Sequence, residues 1–170
     1  MMRKALMVAT AALFAANTVA AQSLSPQMAP LGFLVGDWAG TAKSEGGTTD
    51  RGVSSIHPIV GGAALLRNDH NDVLDASGKV VESFDQVMPI YPEGGSLHAD
   101  YLDGSHVIHY TRSVVQPDVA VQFLTDADAR PVYRLTYTKV SADVLAIKFE
   151  TAAPGSSDFH LIAEGEVRRK

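Results

Sequence analysis

Between Trp38 and the C-terminus the sequence carries almost no helical periodicity. Short runs rich in Val, Ile, Thr, Tyr and Phe follow one another instead, each closed off by Gly, Asp, Pro or Ser. Runs of this kind satisfy their backbone groups only by pairing with neighbours, so the pattern commits the chain to β-structure. Strands are expected at Trp38–Ser44, Val53–Pro58, Ala63–Asn71, Val80–Met88, Ser96–Leu102, His106–Val114, Val119–Leu124, Val132–Val140, Val144–Thr151 and Phe159–Arg168. Their pitch is close to the roughly 8–12 residues per strand of a sandwich or barrel. The one helical candidate is a turn or two around Leu31–Leu34, just before the first strand. No strand alternates with a helix, which excludes a βαβ fold. Residues 22–170 read as a single antiparallel all-β domain.

Consecutive hairpins order these strands. Asp103-Gly104 is a two-residue turn signal between Ser96–Leu102 and His106–Val114. Asp75 to Gly78, Gln116-Pro117-Asp118 and Ser141-Ala142-Asp143 join further pairs. A long up-and-down meander avoids exposed edges most simply by closing into a barrel. Side-chain alternation points the same way. His106, Ile108, Tyr110 and Arg112 share one face of their strand, while Val107, His109 and Thr111 share the other. Val132, Arg134, Thr136 and Thr138 likewise oppose Tyr133, Leu135 and Tyr137. A sandwich would separate apolar from polar faces more cleanly, whereas a small barrel with a ligand cavity carries polar side chains inside. The expected architecture is an up-and-down barrel of about ten strands.

Composition narrows the function classes. Hydrophobic residues at 46% and charged residues at 19% support a packed core and exclude wholesale disorder. With no cysteine, disulfide scaffolds, thiolate metal sites and cysteine nucleophiles are all removed. Arg3 and Lys4, the apolar run Ala5–Ala16 and the small residues ending Val19-Ala20-Ala21 make a secretory signal peptide over residues 1–21. Cleavage is expected after Ala21. The run is shorter than the roughly 20 apolar residues a membrane span requires. The mature chain then holds 12 basic against 19 acidic residues, a net charge of −7. Its dispersed cations suit a phosphate backbone poorly, so nucleic acid is not an expected partner. An exported chain free of cysteine fits a periplasmic or secreted location.

The segment Leu31-Gly-Phe-Leu34-Val-Gly36-Asp-Trp38-Ala-Gly40 has the pattern Leu-x-x-Leu-x-Gly-x-Trp-x-Gly. It resembles the opening of calycin-type β-barrels, in particular the nitrobindin-like and secreted lipocalin-like domains. Gly36-Asp37-Trp38 is also similar to the Gly-x-Trp of lipocalins. The resemblance implies a short helix plugging one end of the barrel, with Trp38 buried at the base. It further implies an arginine after the last strand stacked on that ring, and Arg168 and Arg169 stand at the corresponding place, either one suited to a cation–π contact. Leu31, Leu34 and Trp38 read as core.

Three sets of residues are candidates for chemistry. Tyr101, Tyr110, Arg112, Arg134 and Tyr137 are the expected ligand contacts inside the barrel. If Asp103-Gly104 is a two-residue loop, His98 lies opposite His109 and shares a face with Asp100, and two imidazoles with a carboxylate make a first shell for Zn²⁺ or another divalent metal. The alternative is a hydrogen-bonded polar face. The third is His160, because His160-Leu-Ile-Ala163 resembles the last-strand segment through which nitrobindins hold haem. That resemblance implies an axial imidazole and peroxynitrite isomerisation. The Gly-x-Tyr-Pro-Thr segment of nitrobindins is replaced here by Thr41-Ala-Lys43-Ser-Glu45-Gly46-Gly47. Hydrolase, zinc-protease and phosphate-loop motifs are lacking. Val60-Gly61-Gly62 precedes a strand and reads as a turn, and Asp69-His70 reads as a polar loop end.

The leading expectation is therefore non-catalytic binding of a small, partly apolar molecule, with no cofactor required. A haem enzyme using His160 is the second expectation. A barrel filled solid, meeting a protein partner through its acidic surface, is the third.

Overall fold

The computed structural model describes residues 23–44 and 48–170; the segment read as a signal peptide lies outside them. Among the described residues eleven strands form: β1 (Gly36–Ser44), β2 (Thr49–Ile59), β3 (Ala64–Leu74), β4 (Val80–Glu93), β5 (Ser96–Leu102), β6 (Val107–Tyr110), β7 (Arg112–Gln116), β8 (Ala120–Leu124), β9 (Val132–Ser141), β10 (Val144–Ala152) and β11 (His160–Arg169). They lie in one sheet, in the order β6-β5-β4-β3-β2-β1-β11-β10-β9-β8-β7. The antiparallel pairing of β1 with β11, from Trp38 opposite Arg169 to Ser44 opposite Ala163, wraps the meander into a nearly closed barrel.

The single strand expected over His106–Val114 is two. It breaks at Thr111, leaving β6 paired to β5 and β7 paired to β8. A backbone N–H of β5, that of Leu97, donates to the Ser113 hydroxyl of β7 at 3.2 Å and draws the seam together. One residue without a ladder partner also inverts the side-chain alternation. Ile108 and Tyr110 face inward before the break, and Ser113 and Val115, opposite buried Phe123 and Val121, face inward after it.

The β5–β6 turn corrects a second expectation. Asp103 Oδ1 accepts the backbone N–H groups of Ser105 at 2.9 Å and His106 at 2.7 Å, so the turn spans four residues rather than two. The register moves accordingly: Asp100 lies opposite His109 and Ala99 opposite Tyr110. At β4 the strand runs past Pro89 and Pro92 to Glu93, beyond the expected end at Met88. Proline cannot donate to a ladder, and the β4–β5 pairing skips Met88 and Pro89 before resuming at Ile90 opposite Ala99.

One end of the barrel is plugged. A 3-10 turn at Ala29–Leu34, with Pro30 at its start, lays Leu31 and Leu34 across the opening, both fully buried together with Met28 and Trp38. Full burial of each such side chain stabilises by about 1.5–3 kcal/mol. The Trp38 indole N–H donates to the Leu34 carbonyl at 2.9 Å, tying the plug to β1. The arginine on Trp38 is Arg169, its guanidinium carbon 4.2 Å from the ring centroid and Nη1 donating to the Val35 carbonyl at 2.8 Å. Arg168, the other candidate, is exposed near Glu166, because neighbouring strand residues face opposite sides. Gly36 has φ +144°, and a Cβ there would collide with Arg169 Nη1. A Cβ at Gly40 would collide with the Glu166 carbonyl, so both motif glycines permit the close β1–β11 seam.

Candidate functional site

Above the plug the barrel is hollow. A cavity of about 1010 Å³ fills the other end, at the upper limit of the roughly 300–1,000 Å³ typical of ligand pockets. This rules out the solid barrel. One wall is apolar and comes from β1, β9, β10 and β11. It holds Trp38, Leu135, Leu145, Ile147 and Val167, and Tyr133 stacks on Phe149 with centroids 5.4 Å apart. Gly40, Ala42, Ala163 and Gly165 put little side-chain volume on this wall, which keeps the space open.

The facing wall, from β2 to β6, is polar and centres on Arg67. Its side chain is only 12% exposed, and each of its N–H directions meets a partner. Nε and Nη2 both donate to Asp69 Oδ2, the first at 2.6 Å. Nη2 also donates to Gln86 Oε1 at 2.9 Å, and Nη1 donates to the Tyr137 hydroxyl at 2.5 Å and approaches Met88 Sδ at 3.5 Å. The network continues from Gln86 Nε2 to the Tyr101 hydroxyl at 2.8 Å, which donates in turn to Asp103 Oδ2 at 2.9 Å. Burial works against the Arg67 charge, but attraction to Tyr137 and Asp69 outweighs it and raises the pKa. Burial is also the main reason the Tyr101, Tyr110 and Tyr137 hydroxyls sit above the usual phenol range. These groups hold their protons at neutral pH.

Both Arg67 contacts to Asp69 fall on one carboxylate oxygen. The other, Oδ1, is buried and has no hydrogen-bond partner among the described residues. A buried acceptor left unpaired costs about 1–3 kcal/mol.

Of the five expected ligand contacts, Tyr101, Tyr110 and Tyr137 line the cavity. Arg112 and Arg134 do not. Arg112 is turned outward by the break at Thr111 and donates to the Thr125 carbonyl at 3.0 and 2.6 Å. Arg134 alternates with the inward Tyr133 and Leu135, so it faces out. There it donates to Glu150 at 2.7 Å and lies 3.8 Å below the Phe159 centroid.

The expected metal set is not assembled. The longer turn pairs His109 with Asp100, Nδ1 to Oδ1 at 2.6 Å, while His98 turns to Glu93 at 3.1 Å. Among the described residues no group of three His, Cys, Asp or Glu side chains is placed to hold a metal. His160 opens β11 opposite Thr151, exposed and outside the cavity lining.

Sequence reasoning passed over Arg67, Asp69 and Gln86. Period-two alternation was the available signal: Arg67 and Asp69 continue the inward face that begins at buried Leu65. Asp69-His70 lies within β3 rather than at a loop end, with Asp69 inside and His70 outside against Asp85 at 2.8 Å.

No protein-family model matches the chain, and no curated protein does. Among solved structures it is similar to a de novo designed fluorescence-activating β-barrel, at 14% identity and TM-score 0.46 over 86% of this chain and 100% of that one. It is also similar to a redesigned β-barrel bound to DFHBI, at 16% identity and TM-score 0.45 over 83% and 98%. A third similarity is to an S-type phycobiliprotein lyase from Guillardia theta, at 11% identity and TM-score 0.48 over 81% and 89%.

Proposed function

We propose that the barrel binds one small, partly apolar molecule in its interior without transforming it. The observation that carries this reading is the cavity of about 1010 Å³, closed below by the plug and divided between an aromatic wall and the Arg67 network. Such a space can hold a body of drug size or larger, with polar groups on one side to orient it. The polar groups of the Arg67 wall engage one another rather than standing free toward the cavity. We further propose export, with residues 1–21 as a cleaved signal peptide and a periplasmic or secreted location.

The test uses a neutral apolar dye, N-phenyl-1-naphthylamine, titrated into the purified protein. Trp38 is the sole tryptophan and lies in the cavity lining, so energy transfer from it reports occupancy. Saturation at one dye per chain is expected, and Ala163→Phe, which places a ring opposite Phe149 on the inner wall, should abolish it. Absence of saturable binding in the unaltered protein would sink the proposal. N-terminal sequencing of exported protein checks the cleavage, with Gln22 as the expected first residue.

A further inference from the structure

An arginine inside a β-barrel invites the reading that the cavity receives an anion. The geometry here points the other way. Arg67 already directs its N–H groups to Asp69, Gln86, Tyr137 and Met88, and its charge is balanced by Asp69 in contact with it. A carboxylate entering the cavity would have to displace one of these partners. It would also meet the other charges of the lining, which holds four carboxylates (Asp50, Asp69, Asp103 and Asp126) against two guanidiniums, Arg67 and Arg130, while Glu164 faces outward between Ala163 and Gly165. Fields of one sign are focused in a cleft with low-dielectric walls, so a net charge of −2 on the lining, its histidines neutral, works against an anion and for a cation.

A separate observation places the cation. Asp69 is 9% exposed, belongs to the cavity wall, and leaves Oδ1 without a partner because both Arg67 contacts fall on Oδ2. The missing element at this point is a hydrogen-bond donor. Across the cavity stand Trp38, Leu145 and Phe149, which suit an apolar body.

We infer that the barrel takes an amphiphile with a cationic, hydrogen-bond-donating head, an alkyl- or arylammonium, its head at Asp69 and its body against the Trp38–Phe149 wall. The inference rests on the proposed binding function and specifies its ligand class.

The experiment compares three probes that share one chain length: dodecylammonium, dodecanol and dodecanoate. Each is titrated below its micelle concentration into the unaltered protein, with Trp38 fluorescence as the readout. The ammonium is expected to bind about tenfold or more tighter than the carboxylate, a difference of about 1.4 kcal/mol, with the alcohol between them. Asp69→Asn, after circular dichroism shows that it folds, should bring the ammonium and the alcohol within about threefold of each other, or about 0.7 kcal/mol. Dodecanoate binding as tightly as the ammonium would overturn the inference and leave the cavity as a binding site. No response to any of the three would overturn the binding function itself. An unchanged ranking in folded Asp69→Asn would remove Asp69 as the head-group position. The ranking is read on the unaltered protein, so it decides the charge preference even where the variant does not fold.

Discussion

The two ends of the barrel are built from the same strands and obey opposite rules. At the plugged end, Met28, Leu31, Leu34 and Trp38 are fully buried, and backbone bonds bind the plug to its surroundings. Ser25 N–H reaches the Gly62 carbonyl at 2.9 Å, and Asp118 N–H reaches the Pro30 carbonyl at 3.2 Å. At the open end, the inward positions hold half-buried aromatics, small residues and a charged network around empty space. Apolar burial at one end supplies stability that the hollow end, with its desolvated charges, does not. The contrast gives packing to one end and an open, polar-lined space to the other.

Truncation at the plug should therefore be the most damaging change. Trp38→Ala is expected to cost about 3–5 kcal/mol, read from denaturant midpoints with an unchanged slope. A loss below about 1 kcal/mol would mean that the plug end does not carry the stability.

Arg67→Leu probes the open end. It leaves Asp69 buried without its counter-charge, and a loss of about 3–5 kcal/mol is expected. The double variant Arg67→Leu, Asp69→Leu should recover most of that loss, because two apolar side chains carry no desolvation penalty. No recovery would show that the pair contributes to the fold as an ion pair and not only to the cavity.

Smaller effects separate the two terminal arginines. Arg169→Ala removes the stack on Trp38 and the bond to the Val35 carbonyl, and should cost about 1–2 kcal/mol. Arg168→Ala should stay within about 0.5 kcal/mol. Equal losses in chemical denaturation would refute the assignment of Arg169 as the stacking partner.

The outer wall supplies a pH-dependent case. Glu150, 4% exposed, receives a hydrogen bond from Arg134 and an ion pair from Lys148 at 2.9 Å, which hold its pKa below the usual carboxylate value despite burial. A depressed folded-state pKa gives stability that is present above the unfolded carboxylate pKa and lost as pH falls through the folded one. Glu150→Gln should therefore be less stable than the unaltered protein at neutral pH, with the gap narrowing as pH falls below about 4. A gap that stays constant in thermal melts between neutral and acid pH would exclude this linkage.

Much of the architecture was legible in the chain. Strand runs, hairpin turns and the motif from Leu31 to Gly40 are local patterns, and local sterics and period-two burial suffice to read them. They yielded an antiparallel barrel with a plug and Trp38 at its base. The site was legible only in part. Tyr101, Tyr110 and Tyr137 were placed inside the barrel, where they line the cavity, whereas Arg112 and Arg134 face out and Arg67 and Asp69 were overlooked. Two of the errors have a definite local cause. The break at Thr111 inverted one face, and the Asp103 side chain lengthened a turn that looked like two residues, shifting the register by which His98 would have met His109.

Sequence by itself determined that strands form, where they turn, and which end of the barrel is packed, because these follow from backbone conformation and the burial of neighbouring apolar residues. Tertiary structure alone decided which face of each strand looks inward, that Arg67 answers to Asp69 and Tyr137, and that Asp69 Oδ1 is left over. These depend on register around a nearly closed sheet. A shift of one residue there exchanges the inside for the outside, and partners 70 positions apart, such as Arg67 and Tyr137, meet only after closure.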